Sequence, residues 1–270
     1  MTETLTGVPV NGATVTSGSN SVQSASGGAF TFDLSVSSAR VAVTAPGYLS
    51  RETTITAGRD VSVDIIHDAP PFSLVFYRQM ARNTWEGGMA LPLRVLPAAP
   101  AFYLQTKGLT SESISALAQT TRSIVSAFTG GRFTVTTFET GVETRPERAG
   151  WVVIELVDDP AERWCGRAFV GASAGHIWMN TADDACLARG SLDEGVLSHE
   201  IGHALGFWHL DFQNALMHGE FELHHRTLTD GERYHASIAY QRFAGNRDVD
   251  VDANNVGPRS VTTDRVLIVD

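Results

Sequence analysis

A chain of 270 residues is long enough for one large domain or two smaller ones. Hydrophobic residues make up 43% and charged residues 19%, an ordinary globular balance, and no apolar run approaches the roughly 20 residues that span a bilayer. The formal net charge of -10, from 30 acidic and 20 basic residues, argues against nucleic acid or an anionic membrane as the main partner.

Residues 1–66 are rich in Ser, Thr, Gly and Val. Apolar residues alternate at Phe30, Phe32, Leu34 and Val36, at Val41, Val43 and Ala45, and at Val61, Val63 and Ile65. Each run predicts a strand with one apolar face, and turn-rich segments separate the runs. Several short strands at this spacing predict a small all-β sandwich. Gly7–Val15, with Gly28-Ala29-Phe30 and Ala45-Pro46-Gly47-Tyr48, resembles carboxypeptidase-regulatory-like domains. That resemblance implies an accessory sandwich without chemistry of its own, serving as a spacer or binding a surface or carbohydrate. Residues 67–72, His67-Asp68-Ala69-Pro70-Pro71-Phe72, read as a linker to a mixed α and β unit over 73–270.

In that second unit, Leu91–Gln105 carries prolines at 92, 97 and 100 and reads as a broken or edge strand. Ile114, Leu117, Thr121, Ile124, Val125 and Phe128 recur at helical steps, so a helix is predicted over 111–129, capped by Thr110 and ended by Gly130-Gly131. Arg132–Thr140 and Trp151–Val157 are strand candidates, the second apolar enough to be central. Residues 175–181 form a further strand, on which His176, Ile177 and Trp178 are candidates for substrate contact. For His176 a hydrogen-bonded structural role is the stronger reading. Cys165 and Cys186 are close enough in sequence for one disulfide, the alternative being two buried thiols. An extracellular location is expected. The first residues lack the features of a signal peptide, so an exported precursor would have carried its signal ahead of residue 1.

The segment His199-Glu200-Ile201-Gly202-His203-Ala204-Leu205-Gly206-Phe207-Trp208-His209 holds the chemistry. Ser191 and Glu194 make a capping-box pattern that predicts a helix over 192–206. Residues 199 and 203 lie four apart, so their imidazoles share a helical face and can grip one ion at about 2.0–2.1 Å. Glu200 points too far around the helix to complete the tripod but can reach a water on the ion. Gly206 can take the left-handed conformation that reverses the chain, letting His209 return as third ligand. Three ligands leave a fourth position for water, and three imidazoles favour zinc.

This His-Glu-x-x-His-x-x-Gly-x-x-His run resembles the signature of the metzincin metallopeptidases, and Ala215-Leu216-Met217 is similar to their Met-turn. Gly202, Ala204, Leu205 and Phe207 are similar to the matrixin-like and bacterial branches. The resemblance implies an α+β class: a five-stranded mixed sheet over the active-site helix, a smaller lower subdomain and a cleft between. It implies His199, His203 and His209 as zinc ligands, Glu200 as general base, Met217 beneath the metal, and the strand at 175–181 as an edge that pairs with an extended peptide. Gly219, after His218, stands where astacin-like and serralysin-like relatives carry a tyrosine, so a tyrosine switch of their kind is not expected.

His218, His224 and His225 are candidates for a specificity pocket or second ion, against a solvated loop. Asp248, Asp250 and Asp252 alternate as calcium ligands do, yet the loop lacks the usual Gly and Glu, and a solvated acidic linker is the stronger reading. Thr229 and Glu232 predict a last helix to Phe243, with Tyr234, Ile238 and Phe243 on its apolar face. Val261, Val266, Ile268 and Val269 suggest a closing strand. The expected activity is zinc-dependent hydrolysis of peptide bonds by a monomer acting on protein or peptide substrates. The rivals are an inactive zinc-binding surface protein and a zinc amidase on a non-protein substrate.

Overall fold

Val15, Val41 and Val43 are fully buried between polar neighbours, and that alternation builds the first sheet. In the computed structural model, which describes residues 1–182, 186–188, 191–220, 227–253 and 265–269, this part of the chain contains β1 (Thr2–Glu3), β2 (Thr14–Ser17), β3 (Asn20–Gln23), β4 (Ser38–Thr44), β5 (Arg51–Thr56) and β6 (Asp64–Ile65). Strands β3-β2-β4-β5 form an antiparallel sheet, and β1 pairs with β6 in parallel. Phe30, Phe32 and Leu34 turn inward in alternation, as predicted, and pack on the core of this sheet, but their segment forms no ladder. Of the run 61–65, Asp64–Ile65 alone is strand.

The rest comprises α1 (Leu74–Arg82), β7 (Ala101–Gln105), α2 (Ser111–Phe128), β8 (Phe138–Gly141), β9 (Trp151–Val157), β10 (Gly166–Phe169), β11 (Ala174–Asn180), β12 (Leu187–Ala188), β13 (Ser191–Leu192), α3 (Glu194–Ala204), α4 (Asp230–Tyr240) and β14 (Leu267–Val269). The fold is thus mixed α and β. A six-stranded sheet runs β14-β10-β11-β9-β7-β8, with β10 antiparallel to both its neighbours and the other pairs parallel. Phe102, Leu104, Val152, Ile154, Ile177 and Met179 bury one sheet face against Leu117, Ile124 and Val125 of α2 and Val196, Leu197 and Ile201 of α3.

Several sequence expectations need correction. Strand β7 begins after the last of the three prolines and lies inside the sheet, not at an edge. Phe133 and Val135 are buried without joining a strand, and the ladder starts at Phe138. Helix α3 starts two residues later than predicted. Ser191 and Leu192 pair as β13 with β12, and the Asp193 carboxylate caps the helix by accepting the Gly195 N–H at 2.6 Å. Helix α4 has the predicted Thr229–Glu232 capping box, but it stops at Tyr240, leaving Phe243 outside it and 45% exposed. Helix α2 starts at the Thr110 cap as predicted.

Residues 248–252 are neither a solvated linker nor a calcium loop. Asp250 and Asp252 are 1% exposed. Arg78 donates to Asp248 at 2.8 and 3.0 Å, Arg242 to Asp250 at 2.8 and 2.9 Å, and Arg51 to Asp252 at 3.1 Å. The charges a calcium ion would neutralise are neutralised by guanidinium groups. Arg242 also donates to Asp64 at 2.6 Å and to the Thr4 hydroxyl at 3.0 Å, while the Glu52 N–H donates to the Asp250 carbonyl and the Asp252 N–H to the Glu52 carbonyl, each at 2.9 Å. This buried network ties the first 66 residues to the segment after α4. Burial acts to raise the Asp64 pKa, but Arg242, Arg51 and Thr4 outweigh it and hold the carboxyl at about 2.

Candidate metal centre

Helix α3 carries His199, Glu200 and His203, all 0% exposed. At its end Gly206 takes φ +104, and a Cβ there would meet the Arg94 carbonyl oxygen at 2.6 Å. Only glycine fits both the positive φ and that close approach. The reversal brings the Phe207 carbonyl back to accept the His203 Nδ1–H at 2.8 Å, while the Trp208 N–H donates to Met80 at 2.8 Å. His209 is thereby carried to the helix face that holds the other two rings.

The three Nε2 atoms converge. His203 Nε2 lies 3.0 Å from that of His199 and 3.1 Å from that of His209. The Nδ1 partners fix the tautomers. The Leu216 carbonyl takes the His199 Nδ1–H at 2.6 Å, and the Glu86 carboxylate takes the His209 Nδ1–H at 2.7 Å. A carbonyl and a carboxylate have no proton to give, so each ring carries its proton on Nδ1. With the proton on Nδ1, three neutral rings turn their Nε2 lone pairs toward one buried point, where they can be shared by one cation. A tetrahedral ion bound at 2.0–2.1 Å sets its nitrogens about 3.3 Å apart, close to the spacing found. The buried His199, His203 and His209 cluster can therefore hold a metal ion, and among the described residues it is the one group of three or more His, Cys, Asp or Glu placed to do so.

Glu200 follows His199 on the same helix. Its carboxylate fills the space a side chain at Gly166 of β10 would take. Met217 is buried beneath the helix, its sulfur where a Cβ on Gly202 would fall. Its segment is wired to the imidazole cluster: the Leu216 carbonyl holds His199, the Leu210 N–H donates to the Met217 carbonyl at 2.8 Å, and Glu232 of α4 accepts the Met217 N–H at 2.8 Å.

The other site candidates fall differently. Strand β11 is not an edge: β9 pairs with it along its whole length and β10 pairs with Ile177, Trp178 and Met179 on the other side. Ile177 packs in the core with α3, so by strand alternation His176 and Trp178 turn to the opposite sheet face. His176 stacks on Trp178 at 3.9 Å and hydrogen-bonds Glu155 and Glu147 at 3.0 and 3.3 Å. Burial pushes its pKa below the ordinary histidine value, against the upward pull of Glu155 and Glu147. His176 is thus a hydrogen-bonded, stacked ring on the sheet face away from α3. His218 lies 6.3 Å from the Trp85 ring, and its Nδ1 accepts the Glu220 N–H at 3.0 Å. His224, His225, Asp183 and Asp184 lie outside the described residues. Cys165, which precedes β10, and Cys186, which precedes β12, form a disulfide with Cα atoms 4.9 Å apart. No described helix is long and apolar enough to cross a membrane.

Glu86, Trp85 and Gly166 were not singled out by sequence reading. Gly166 had a faint signal, standing next to a cysteine at a strand start. Glu86 and Trp85 had none, because they meet His209 from 123 and 124 positions upstream.

No family model matches this chain, and no curated protein matches it. Among solved structures it is similar to metalloproteinase-II from Bacteroides fragilis, at 15% identity over 77% of each chain with a TM-score of 0.39.

Proposed function

We propose that this chain is a zinc-dependent endopeptidase of metzincin type, in which His199, His203 and His209 hold the ion, Glu200 is the general base and Met217 forms the floor. The carrying observation is the meeting of three imidazole lone pairs beside a fully buried carboxylate on one helix. Zinc suits three neutral imidazoles, and when bound it supplies a Lewis acid that brings the pKa of a water towards about 7.

Glu200 takes a proton from the attacking water and returns it to the leaving amine. Its position against Gly166 sets the carboxylate between α3 and β10. Rings 199 and 203 are held by main-chain carbonyls, so their aim survives changes in surface side chains. The reading of residues 1–66 as an accessory domain, 67–72 as a linker and 73–270 as the catalytic domain goes with this proposal. So does secretion, with which the disulfide is compatible.

The test is a digest of casein and gelatin by wild type and Glu200→Gln, with zinc content measured on both. A drop of about 10²- to 10⁴-fold with zinc retained is expected. A Glu200→Gln protein that keeps its zinc and cleaves at the wild-type rate would sink the assignment. If wild type spares every peptide yet cuts cell-wall fragments, the amidase reading replaces it.

A further inference from the structure

We propose that Glu86 is the positioning carboxylate of the third metal ligand, setting the aim of His209 and the affinity of the site; this rests on the metal-centre reading above. The three rings are not held alike. His199 and His203 sit on α3 and give their Nδ1 protons to neutral main-chain carbonyls. His209 lies beyond the helix end, and its proton goes to an anionic side chain at 2.7 Å. It is thus the ligand whose position depends most on one removable group.

The segment that delivers Glu86 is built for the purpose. Helix α1 ends at Asn83 in the left-handed conformation, with φ +56. The Gly87 N–H closes a turn onto the Asn83 carbonyl at 3.0 Å, and a Cβ at residue 87 would strike that same oxygen at 2.8 Å. The turn presents two neighbours to His209 together. Trp85 stands edge-on to the ring at 6.4 Å and 70°, and Glu86 takes its proton. Gly219 leaves the room: a Cβ there would meet the Trp85 ring at 2.5 Å and the His209 ring at 3.3 Å. The indole screens one flank of the Nδ1–H···carboxylate bond, although the Glu86 side chain remains 43% exposed. A carboxylate on Nδ1 fixes the tautomer, limits ring rotation and makes Nε2 a better donor; loss of such a partner typically weakens metal binding 10- to 100-fold.

The experiment uses the full chain as wild type, Glu86→Gln and Glu86→Ala. Zinc affinity is measured by competition with a chromophoric chelator, the visible spectrum is recorded after cobalt substitution, and the melting temperature of each metal-free protein is taken. Glu86→Ala is expected to bind zinc about 10- to 100-fold more weakly and to alter the cobalt bands, with the metal-free melting temperature unchanged. Glu86→Gln, which keeps an acceptor oxygen and loses the charge, should fall between. Wild-type affinity and an unchanged cobalt spectrum in Glu86→Ala would overturn the proposal and leave the metal centre standing. So would a weakened affinity that merely follows a lowered metal-free melting temperature in both variants. A wild-type protein that takes up neither zinc nor cobalt overturns the metal centre itself, and this role with it.

Discussion

The carboxylate of Glu200 occupies the volume in which a side chain at Gly166 would lie. The backbone at 166 is ordinary strand, so alanine is excluded there by space and not by conformation. We predict that Gly166→Ala displaces the carboxylate and lowers kcat/KM by at least about tenfold, the direction expected when a general base leaves its post. Zinc content should be unchanged, because no ligand is touched. Full activity in Gly166→Ala would mean that Glu200 can work from elsewhere.

Gly202 and Met217 are related in a similar way. A Cβ at 202 would fall on the Met217 sulfur and within 2.8 Å of the Phe128 ring. Gly202→Ala is predicted to destabilise the fold by about 1–3 kcal/mol through overpacking. Adding Met217→Ala should recover part of that loss, since the two sites couple. Urea denaturation of the two single variants and the double variant measures this, and strict additivity would contradict it.

Removal of metal should be visible in stability. Three buried lone pairs at 3.0–3.1 Å can be shared by one cation, so chelation is predicted to lower the melting temperature. Zinc at a hundredfold excess over its Kd should contribute about 2.7 kcal/mol. His203→Ala should abolish that increment and also lower the stability of the metal-free protein, because it leaves a cavity and removes the bond to the Phe207 carbonyl. Calorimetry with and without zinc decides the matter.

Acid should loosen the joint between the first 66 residues and the rest. Asp64 is held at about 2 in the folded protein, below the ordinary 3.8. A depressed carboxyl contributes stability that is fully present above the unfolded value and is lost as pH falls through the folded one. The window is therefore from about pH 4 down to about pH 2, and the contribution about 2 kcal/mol. Asp252, which burial would raise but Arg51 and Asn246 draw down, acts in the same direction. Asp64→Asn should lower stability at neutral pH by about 1–3 kcal/mol and flatten the acid dependence. A wild-type melting temperature that does not fall between pH 4 and pH 2 would count against this network.

What the sequence made legible was local. A spacing of four put two rings on one face, a glycine at 206 gave the reversal, and Thr229 with Glu232 wrote out a helix start that the coordinates reproduce. Ser191 and Asp193 are both competent caps, and which one served depended on a two-residue ladder with 187–188 that no local pattern announces. Strand order was out of reach for the same reason: an apolar run at 174–180 looks alike whether a neighbour flanks it on one side or two. The aspartates at 248–252 misled because their partners, Arg78, Arg242 and Arg51, stand as far as 201 positions away. Glu86 escaped notice because a carboxylate in a turn carries no mark of the ring it will meet.

Strand β14 stands on the outer rim of β10, with Val269 opposite Arg167, one residue from the glycine that receives Glu200. Any extended polypeptide that is to lie along that rim needs the donors and acceptors this segment already uses, including the Val170 N–H given to Val266 at 2.9 Å. Three residue pairs and the Arg265–Glu147 ion pair hold it, while Leu267 and Val269 face water. This segment thus already holds the main-chain bonds of the strand that contains Gly166, and is moored by them more than by apolar contact.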